Sequence, residues 1–397
     1  MITVLEAQRL IARHCRPFPD DKRPLRQCLN SVLREDIRAD RDLPPFHKSL
    51  VDGIAIALKS YAHGQREFIV QGIQPAGQPP DRLRSQKFCF EIMTGGALPA
   101  GCDCIVPVEQ VHQEGQKIRF PDDLELQSFQ FVRWRGADER KGNLLLSSGA
   151  VLGPAQISIA ASVGKDRIKV NHQPRIAVVS TGDELVDLGR PVHDYQVRTS
   201  NSYAVQAALR QFHFHDSQIF HCRDDQALLR KKLGGILKGF DVLVLSGGVS
   251  MGKFDFVPAV LKELGVEVIF HKVRQRPGKP FWFGKNKAGK MVFALPGNPV
   301  STLVCTYRYV IPALLARMGK KFSPEMLPLA RTPQPSSDLT LFVPVKKKKG
   351  NDEESVEPVE YGGSGDFAAL ASSDGFVQIN PGRRRLERGT RVAFYSW

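Results

Sequence analysis

The sequence contains no uninterrupted apolar run that approaches the 18 residues needed to cross a bilayer as a helix. Its first residues also lack the basic leader and the small-residue cleavage site of a signal peptide. Val4, Leu10 and Ile11 instead recur at helical spacing, which predicts an amphipathic helix that Thr3 can cap. We therefore expect a cytoplasmic protein without a membrane contact.

Cysteine is scarce and irregularly spaced, and the total of seven is odd. Both features argue against a disulfide framework. Cys102 and Cys104 form a C-x-C pair, but no second pair or histidine cluster accompanies them, which argues against a zinc site. We expect buried, reduced thiols, as is usual in the cytosol.

Acidic residues number 41 against 56 lysines and arginines, which gives a net charge of +15. Such a balance favours anionic partners. Zinc-finger spacing, leucine-zipper heptads and aromatic RNA-binding motifs are absent from the sequence, so we expect no nucleic acid and prefer an anionic small molecule. The one dense basic run, 346–349, precedes the acidic run 352–354, and such opposite blocks predict a solvent-exposed loop.

In the middle third, short β-branched runs alternate with helical patterns. Two of these runs, 176–180 and 242–246, are almost wholly apolar, which is typical of a parallel sheet covered on both faces. In such sheets ligands bind outside the carboxyl ends of the strands. The remaining predicted strands are 219–221, 266–270 and 291–295. The predicted helices are 201–209, a helix capped by Asp224 that runs to about 238, 257–264 and 301–318.

The flanking regions differ in pattern. Short β-type runs separated by Gly and Pro predict a β-rich N-terminal domain, prolines beyond Phe322 indicate a linker, and further short runs predict a small C-terminal β-barrel-like domain. The expected fold is therefore α/β plus β, with a central doubly wound, mostly parallel sheet. The expected domains are an N-terminal helical and linking domain (1–44 and 139–171), a β-rich domain (45–138), the α/β domain (172–321) and a C-terminal β domain (322–397).

The loop 180–184, STGDE, follows the first apolar strand. Gly182 permits a tight turn, after which Asp183 and Glu184 could meet Mg²⁺ or a hydroxyl-bearing ligand. A plain turn with solvated acids explains this loop alone at least as well.

The loop 246–252, SGGVSMG, follows the second apolar strand. Gly247 and Gly248 allow backbone N–H groups to approach an anion, Ser246 and Ser250 add hydroxyl donors, and Asp255 follows as a helix cap or metal ligand. An ordinary strand-to-helix turn needs less glycine than this, which favours a functional interpretation.

A third loop, 271–280, carries several cations between stiffening prolines. Lys272, Arg274, Arg276 and Lys279 repel one another unless an anion neutralises them, so the loop predicts an oxyanion or phosphate site rather than a plain basic hairpin. A fourth loop, 295–299, reads LPGNP. Asn298 can cap the following helix and Pro299 suits its first position, so a purely structural role nearly suffices to explain this loop.

Taken together and in order, these segments resemble the molybdopterin molybdenumtransferases, the family that includes the E domain of gephyrin. The resemblance covers nearly the whole chain. STGDEL and SGGVS also occur in molybdopterin-adenylylating and competence-damage proteins, whereas RPGKP, LPGNPVS and SLVDG together are more specific. The matching segments are SLVDG (49–53), MTGGALPAG (93–101), CIVPVEQV (104–111), RWRGAD (133–138), STGDEL (180–185), SN (200–201), RDD (223–225), SGGVSMGKFDF (246–256), KVRQRPGKP (272–280) and LPGNPVS (295–301).

The resemblance implies an enzyme that takes adenylylated molybdopterin and molybdate as substrates. It implies that the enzyme hydrolyses the pyrophosphate link with Mg²⁺, releases AMP and leaves molybdenum on the pterin dithiolate. The implied assembly is an elongated homodimer of four-domain subunits, in which the α/β domain of one subunit faces the β-rich domain of the other.

The resemblance also implies roles for individual residues. Glu184, Asp224 and Asp255 would hold Mg²⁺ and orient the attacking water. Lys272, Arg276 and Lys279 would bind pyrophosphate and molybdate. Pro296 and Pro299 would shape the pocket wall, and Ser364 matches a serine near the molybdate. The residues that would reach in from the partner subunit are Asp52, Thr94, Arg133 and Asp138.

Two positions depart from the family pattern. Ile54 stands where an aromatic residue usually follows Asp-Gly, and Phe342-Val-Pro344 replaces a common Phe-x-Arg. The arginine expected near the oxyanion is thus missing, unless Lys346 or a neighbour substitutes. A non-catalytic scaffold of the same family is the alternative function, and Asp52, Glu184, Asp224 and Asp255 argue against it.

Overall fold

The chain folds into two compact units. The N-terminal unit comprises Arg23–Leu29 and Leu33–Ile168, and the α/β unit comprises Met1–Lys22, Asn30–Val32 and Lys169–Trp397. The structure, a computed structural model, describes residues 1–249, 255–331, 333, 338–350, 353–382 and 386–397.

The N-terminal unit is built on a mixed six-stranded sheet, as the short β-type runs predict. Gly53–Ile56 lies inside this sheet, and all four of its residues are buried. The other five strands are Glu67–Gln74, Phe88–Ile92, Cys104–Pro107, His112–Glu114 and Lys117–Arg119.

Two further strand pairs in this unit bring distant segments together. Lys48–Ser49 pairs antiparallel with Val132–Arg133, and Ile37–Arg38 pairs with Leu144–Leu146. The unit also contains the helices Leu58–Ala62 and Pro154–Ser162 and the 3₁₀ turns Leu25–Gln27 and Val108–Gln110.

The α/β unit contains a second six-stranded sheet, whose strands we number in chain order. They are β1 (Ile176–Thr181), β2 (Ser217–Cys222), β3 (Val242–Ser246), β4 (Val266–His271), β5 (Trp282–Asn286) and β6 (Met291–Leu295). The spatial order is β2-β1-β3-β6-β5-β4. The strands β2, β1, β3 and β6 are mutually parallel, whereas β5 is antiparallel to both of its neighbours. The expected doubly wound sheet is therefore confirmed as a mostly parallel, mixed sheet.

Both faces of this sheet are covered, which explains the wholly apolar strands. Alternate residues point to opposite faces: Ile176 and Val178 join one hydrophobic cluster, and Ala177 and Val179 join another. The covering helices are Val4–His14, Asn201–Gln211, Gln226–Gly239, Val257–Glu263, Pro299–Cys305 and Ile311–Met318. Thr3 caps the first of them with Glu6 in a capping box, as predicted.

Pro299–Met318 forms one continuous helix, with a π-helical stretch at Thr306–Val310. Within the described residues, it is the one helix long and apolar enough to span a bilayer, but 78% of its most apolar window is buried inside the protein. A buried core helix of a globular domain has the same composition.

The last part of the chain forms a third six-stranded sheet. Two expectations fail here. The presumed linker contains the strand Glu325–Pro328, and the basic run 346–349 is not a loop but the end of the strand Thr340–Lys349. The other strands are Gln275–Arg276, Glu354–Pro358, Gly375–Ile379 and Arg391–Ser396, and Phe367–Ala371 is a short helix.

Pairing with an acidic strand explains why the basic run is ordered. Lys346 lies opposite Glu357, Lys347 bonds both Glu325 and Glu354, and the ammonium group of Lys348 contacts Glu357. Opposite charges on neighbouring strands stabilise the pair.

The remaining strands are short: Asp20–Pro24, Arg167–Asn171, Leu185–Val186 and Val197–Arg198. All seven cysteines are free, and six are buried, as expected: Cys28, Cys89, Cys102, Cys104, Cys222 and Cys305, with Cys15 half-buried.

Candidate functional site

A cavity of 440 Å³ opens at the carboxyl ends of β1, β3 and β6 in the α/β unit. Four of the predicted site residues line it, namely Glu184, Ser246, Gly247 and Pro299. Ligands of open α/β sheets bind outside these strand ends. Three of the four loops that the sequence singled out, 180–184, 246–252 and 295–299, therefore contribute to one cavity, whereas no residue of the basic loop 271–280 lines it.

Glycine is required at the floor of this cavity. Gly247 has φ +98°, and a Cβ built there would lie 2.6 Å from the carbonyl oxygen of Thr181. Gly182, at φ +148°, is covered by the Glu184 carboxylate, since a Cβ there would lie 2.5 Å from its Oε2. The two loops thus fit together only because both positions lack side chains.

Asn201 ties the cavity walls together, a role that sequence reasoning missed. Its Nδ2 donates to the Ser246 hydroxyl at 2.9 Å and to the carbonyl oxygen of Gly297 at 2.6 Å. The only signal in the sequence was the short Ser-Asn segment at 200–201, which carries no chemistry by itself.

Ser364 contacts the cavity wall from the C-terminal region, where its neighbour Gly365 lines the cavity. Its hydroxyl accepts a hydrogen bond from Asn298 Nδ2 at 2.6 Å, and its carbonyl accepts from Val300 N–H at 3.1 Å. Asn298 stands at the N-cap position, but its side chain forms no capping bond. The expectation that it caps the helix is wrong because it turns to Ser364 instead.

Four carboxylates gather beside the cavity. Burial, followed by repulsion from Asp183, Glu184 and Asp255, raises the pKa of Asp224 above its ordinary value. The prediction that Asp224 caps the following helix is wrong. Asp225 is the cap, and its carboxylate accepts from Leu228 N–H at 2.8 Å. Asp224 is therefore available to a ligand.

These carboxylates do not form a complete metal shell. Among the described residues, no group of three His, Cys, Asp or Glu side chains is placed to hold a metal ion. Their mutual repulsion nevertheless suits a site that receives a cation, because a cation would remove it. Mg²⁺ commonly uses only one or two protein carboxylates together with waters and substrate phosphates. The donor set therefore fits Mg²⁺ bound jointly with a phosphate-bearing ligand.

The basic loop is closed by backbone hydrogen bonds, and its cations form no ion pair within the described residues. Hydrogen bonds from Lys272 N–H to the Phe281 carbonyl at 3.0 Å and from Val273 N–H to the Lys279 carbonyl at 2.9 Å close it. Lys272, Arg276 and Lys279 form no ion pair with any residue that the structure describes. Such a loop is prepared to bind an anion.

Gln275, which sequence reasoning passed over, holds this loop in place through buried hydrogen bonds. The side chain is buried, its Nε2 donates to the Pro277 carbonyl at 3.1 Å, and its Oε1 accepts from the Tyr309 hydroxyl. The sequence did not mark this residue as important, because a single buried glutamine leaves no periodic pattern.

In the N-terminal unit, Asp52 and Thr94 are in direct contact. The backbone N–H and the hydroxyl of Thr94 donate to Asp52 Oδ1 at 2.6 and 2.7 Å. These two bonds lower the pKa of Asp52 from its ordinary value. The carboxylate is exposed and charged.

Arg133 and Asp138 form an ion pair in the same unit, with Nε 3.0 Å from Oδ1. Ser49 connects the two polar pairs, because it lies opposite Val132 in a strand pair and its N–H donates to the Gly96 carbonyl at 2.9 Å. The segments 49–53, 93–101 and 133–138 are therefore joined by backbone contacts into one polar cluster.

The other predicted residues are placed as follows. The carbonyl oxygen of Pro296 accepts from the Thr302 hydroxyl at 2.7 Å, and Gly248, at φ +68°, lies against Thr181 and Val257. Ser250 lies outside the described residues.

The sheet with this cavity defines a class of protein, since residues 177–316 match the family described as a probable molybdopterin binding domain. Residues 2–164 match the MoeA N-terminal region, domains I and II, and residues 327–397 match the MoeA C-terminal region, domain IV. The chain belongs to the molybdopterin molybdenumtransferase family, whose members are transferases of molybdenum cofactor biosynthesis. The resemblance carried by the sequence motifs is confirmed.

Two relatives match along all or nearly all of their length. The chain is 35% identical to the molybdopterin molybdenumtransferase of Synechocystis sp., with 100% of both chains covered. It is 32% identical to that of Haemophilus influenzae, over 95% of this chain and 94% of the relative.

Solved structures agree. The crystal structure of a molybdopterin biosynthesis MoeA protein from Pyrococcus horikoshii superimposes with a TM-score of 0.82 at 28% identity, covering 100% of this chain and 99% of the other. A second MoeA structure from that organism, at 22% identity and a TM-score of 0.76, covers 100% of both chains and supports the fold.

Proposed function

We propose that the protein inserts molybdenum from molybdate into adenylylated molybdopterin. One water adds across the pyrophosphate link, AMP leaves, and the terminal phosphate stays on the pterin. The cavity at the ends of β1, β3 and β6 carries this proposal, because it combines glycine-lined backbone with the Glu184 carboxylate. A phosphate-bearing ligand needs both features.

Glu184, Asp224 and Asp255 would hold Mg²⁺ together with phosphate oxygens of the substrate. The ion would offset charge on the phosphates and lower the pKa of a bound water. The residues themselves orient the water, since Glu184 is fixed over Gly182. The raised pKa of Asp224 supports a cation as the natural occupant of this cluster.

Lys272, Arg276 and Lys279 would bind the phosphates and molybdate and offset negative charge as the pyrophosphate link breaks. Gly247 and Gly248 would offer backbone N–H groups to the same phosphates, with the hydroxyls of Ser246 and Ser250 beside them. Pro296, Pro299 and Ser364 would shape the end of the pocket. The missing family arginine near Phe342 leaves the molybdate end to the lysines and arginine of the basic loop.

We also propose a homodimer in which Asp52, Thr94, Arg133 and Asp138 of the partner subunit complete each site. Exposure of this polar cluster in the N-terminal unit supports the idea, as do exposed apolar neighbours. Trp134 is 49% exposed and Leu50 is 48% exposed, although large apolar side chains are usually buried. The four-domain division stated above and a cytoplasmic location complete the proposal.

Release of AMP tests the activity. Purified protein is mixed with adenylylated molybdopterin, Mg²⁺ and molybdate, and AMP is followed. We expect turnover that collapses in Asp52→Ala and in Glu184→Ala but persists in Asp123→Ala, an exposed carboxylate outside both clusters. No AMP from the wild-type protein at saturating substrate would refute the proposal, and tight pterin binding without turnover would favour a scaffold.

A further inference from the structure

A second, larger cavity of 750 Å³ lies in the α/β unit, apart from the candidate site. We call it the basic cleft. Its walls are the segment after the first helix, the turn before β4 and the hairpin that joins β5 to β6. Its basic residues are His14, Arg16, Lys262, Lys285, Lys287 and Arg317.

The basic cleft lies at the opposite end of the sheet from the candidate site. The hairpin 286–290 precedes Met291, where β6 begins, whereas the candidate site follows Leu295, where β6 ends. Five residues of strand span roughly 16 Å. A ligand in one cavity therefore does not touch the loops of the other.

The described residues neutralise the charge of the basic cleft only in part. Glu267 is the single carboxylate among its lining residues. None of the five lysines and arginines forms an ion pair with the described part of the chain. Three helices, Val4–His14, Val257–Glu263 and Ile311–Met318, end here, and each helix terminus offsets about half a charge. Between about two and three positive charges then remain, and a multivalent anion is their natural counterpart.

Arg317 is the buried member of this group. It is 9% exposed, its guanidinium stacks on Phe18 at 3.9 Å, and its Nε donates to the Arg16 carbonyl at 2.8 Å. Its Nη1 has no hydrogen-bond partner, which is rare for a buried donor. Burial lowers the pKa of this guanidinium, and the carboxylate of Asp241, which does not line the cleft, offsets that effect only in part.

The chemistry of the lining residues limits the class of ligand that the basic cleft can bind. No phenylalanine, tyrosine or tryptophan stands among the lining residues, so a nucleobase would find no large stacking surface beyond the His14 imidazole. Charged donors dominate: Lys285 lies at the end of β5, Lys287 lies in the hairpin, and Arg317 is held by Phe18 and Arg16. We infer that the basic cleft binds a small oligophosphate through Lys285, Lys287 and Arg317.

Hydrogen–deuterium exchange of the full chain tests this inference, with inorganic tripolyphosphate and ATP as separate probes. We expect millimolar tripolyphosphate to slow exchange in the hairpin 286–290 and in the segment 14–18. Equal protection by ATP would show that the phosphate chain of a nucleotide suffices, whereas protection by tripolyphosphate alone would identify a free oligophosphate. Either result supports the inference.

Substitutions that remove a positive or a negative charge from the cleft should change tripolyphosphate binding in opposite directions. Lys285→Gln with Lys287→Gln should weaken binding about tenfold. Glu267→Gln should strengthen binding, since it removes the one opposing charge. The control pair Lys59→Gln with Lys117→Gln, exposed lysines of the N-terminal unit, should change nothing.

A further variant separates the two cavities. Arg276→Gln with Lys279→Gln, in the basic loop of the candidate site, should leave protection of the hairpin intact. The inference fails if tripolyphosphate leaves the hairpin unprotected, or if the Lys285/Lys287 variant and Glu267→Gln both bind as the wild type does. It also fails if a single-stranded oligonucleotide protects the hairpin and tripolyphosphate does not.

Discussion

Replacing Asp224 by asparagine should stabilise the free protein while abolishing its activity. Asp224 is half-buried beside three carboxylates that raise its pKa. Its charge is therefore unfavourable in the folded chain at neutral pH. Because the group is largely solvated, we expect Asp224→Asn to gain only about 0.5 kcal/mol after solvent screening. For a unit of this size, that corresponds to roughly 1–2 °C in the unfolding midpoint.

The pH dependence has a definite sign. The folded pKa of Asp224 lies above its ordinary value of 3.8, so the wild-type protein loses stability as the pH rises between these two values. The asparagine variant has no such loss. Its advantage should be complete at neutral pH and should vanish as the pH falls toward the ordinary pKa. Thermal unfolding followed by circular dichroism across this range measures the difference.

Added Mg²⁺ and a neighbouring variant provide the controls. Mg²⁺ should stabilise the wild type more than Asp224→Asn, because the ion neutralises the carboxylate cluster. Asp225→Asn should leave the midpoint unchanged, since asparagine caps a helix as well as aspartate does. A lower midpoint for Asp224→Asn at neutral pH without Mg²⁺ would refute the repulsion argument.

Three other outcomes are expected. Gly247→Ala should lower the free energy of unfolding by about 1–3 kcal/mol, because at φ +98° the new Cβ would lie 2.6 Å from a backbone oxygen. Gly235→Ala, on a helix with no atom within 4 Å of the new Cβ, should not destabilise the protein. Urea denaturation compares the two variants. Asn201→Ala should raise KM and lower the free energy of unfolding by about 1–3 kcal/mol, because two hydrogen bonds are lost. If KM and stability were both unchanged, Asn201 would not hold the cavity walls together. Thr94→Val should move the pKa of Asp52 back up toward 3.8 in an NMR titration, while Thr94→Ser should not.

The sequence predicted the central sheet well because its signal is local. The strands 176–180 and 242–246 are apolar on both faces, and such runs have few alternatives to a buried strand. The site loops could be predicted for the same reason, since they directly follow those strands and parallel strands bring their ends together.

The failed predictions have several causes. The run 346–349 was predicted to be a loop because adjacent opposite charges suggest solvation, but its charges are neutralised across a strand pair with Glu354 and Glu357. The choice between Asp224 and Asp225 as a cap depends on backbone geometry that adjacent identical residues do not reveal. The side chain of Asn298 is diverted by Ser364, 66 residues away in sequence. A pairing between neighbouring strands, a local backbone geometry and a contact between distant segments thus decided the three cases.

The position of Glu184 over Gly182 affects how mutational scans of this chain should be read. The carboxylate occupies the space that any side chain at position 182 would need. Every substitution at 182 must therefore displace Glu184, even though residue 182 has no side chain of its own to touch a substrate. A screen for lost activity would rank position 182 beside the acidic residues themselves, and the two positions would tolerate change only as a pair.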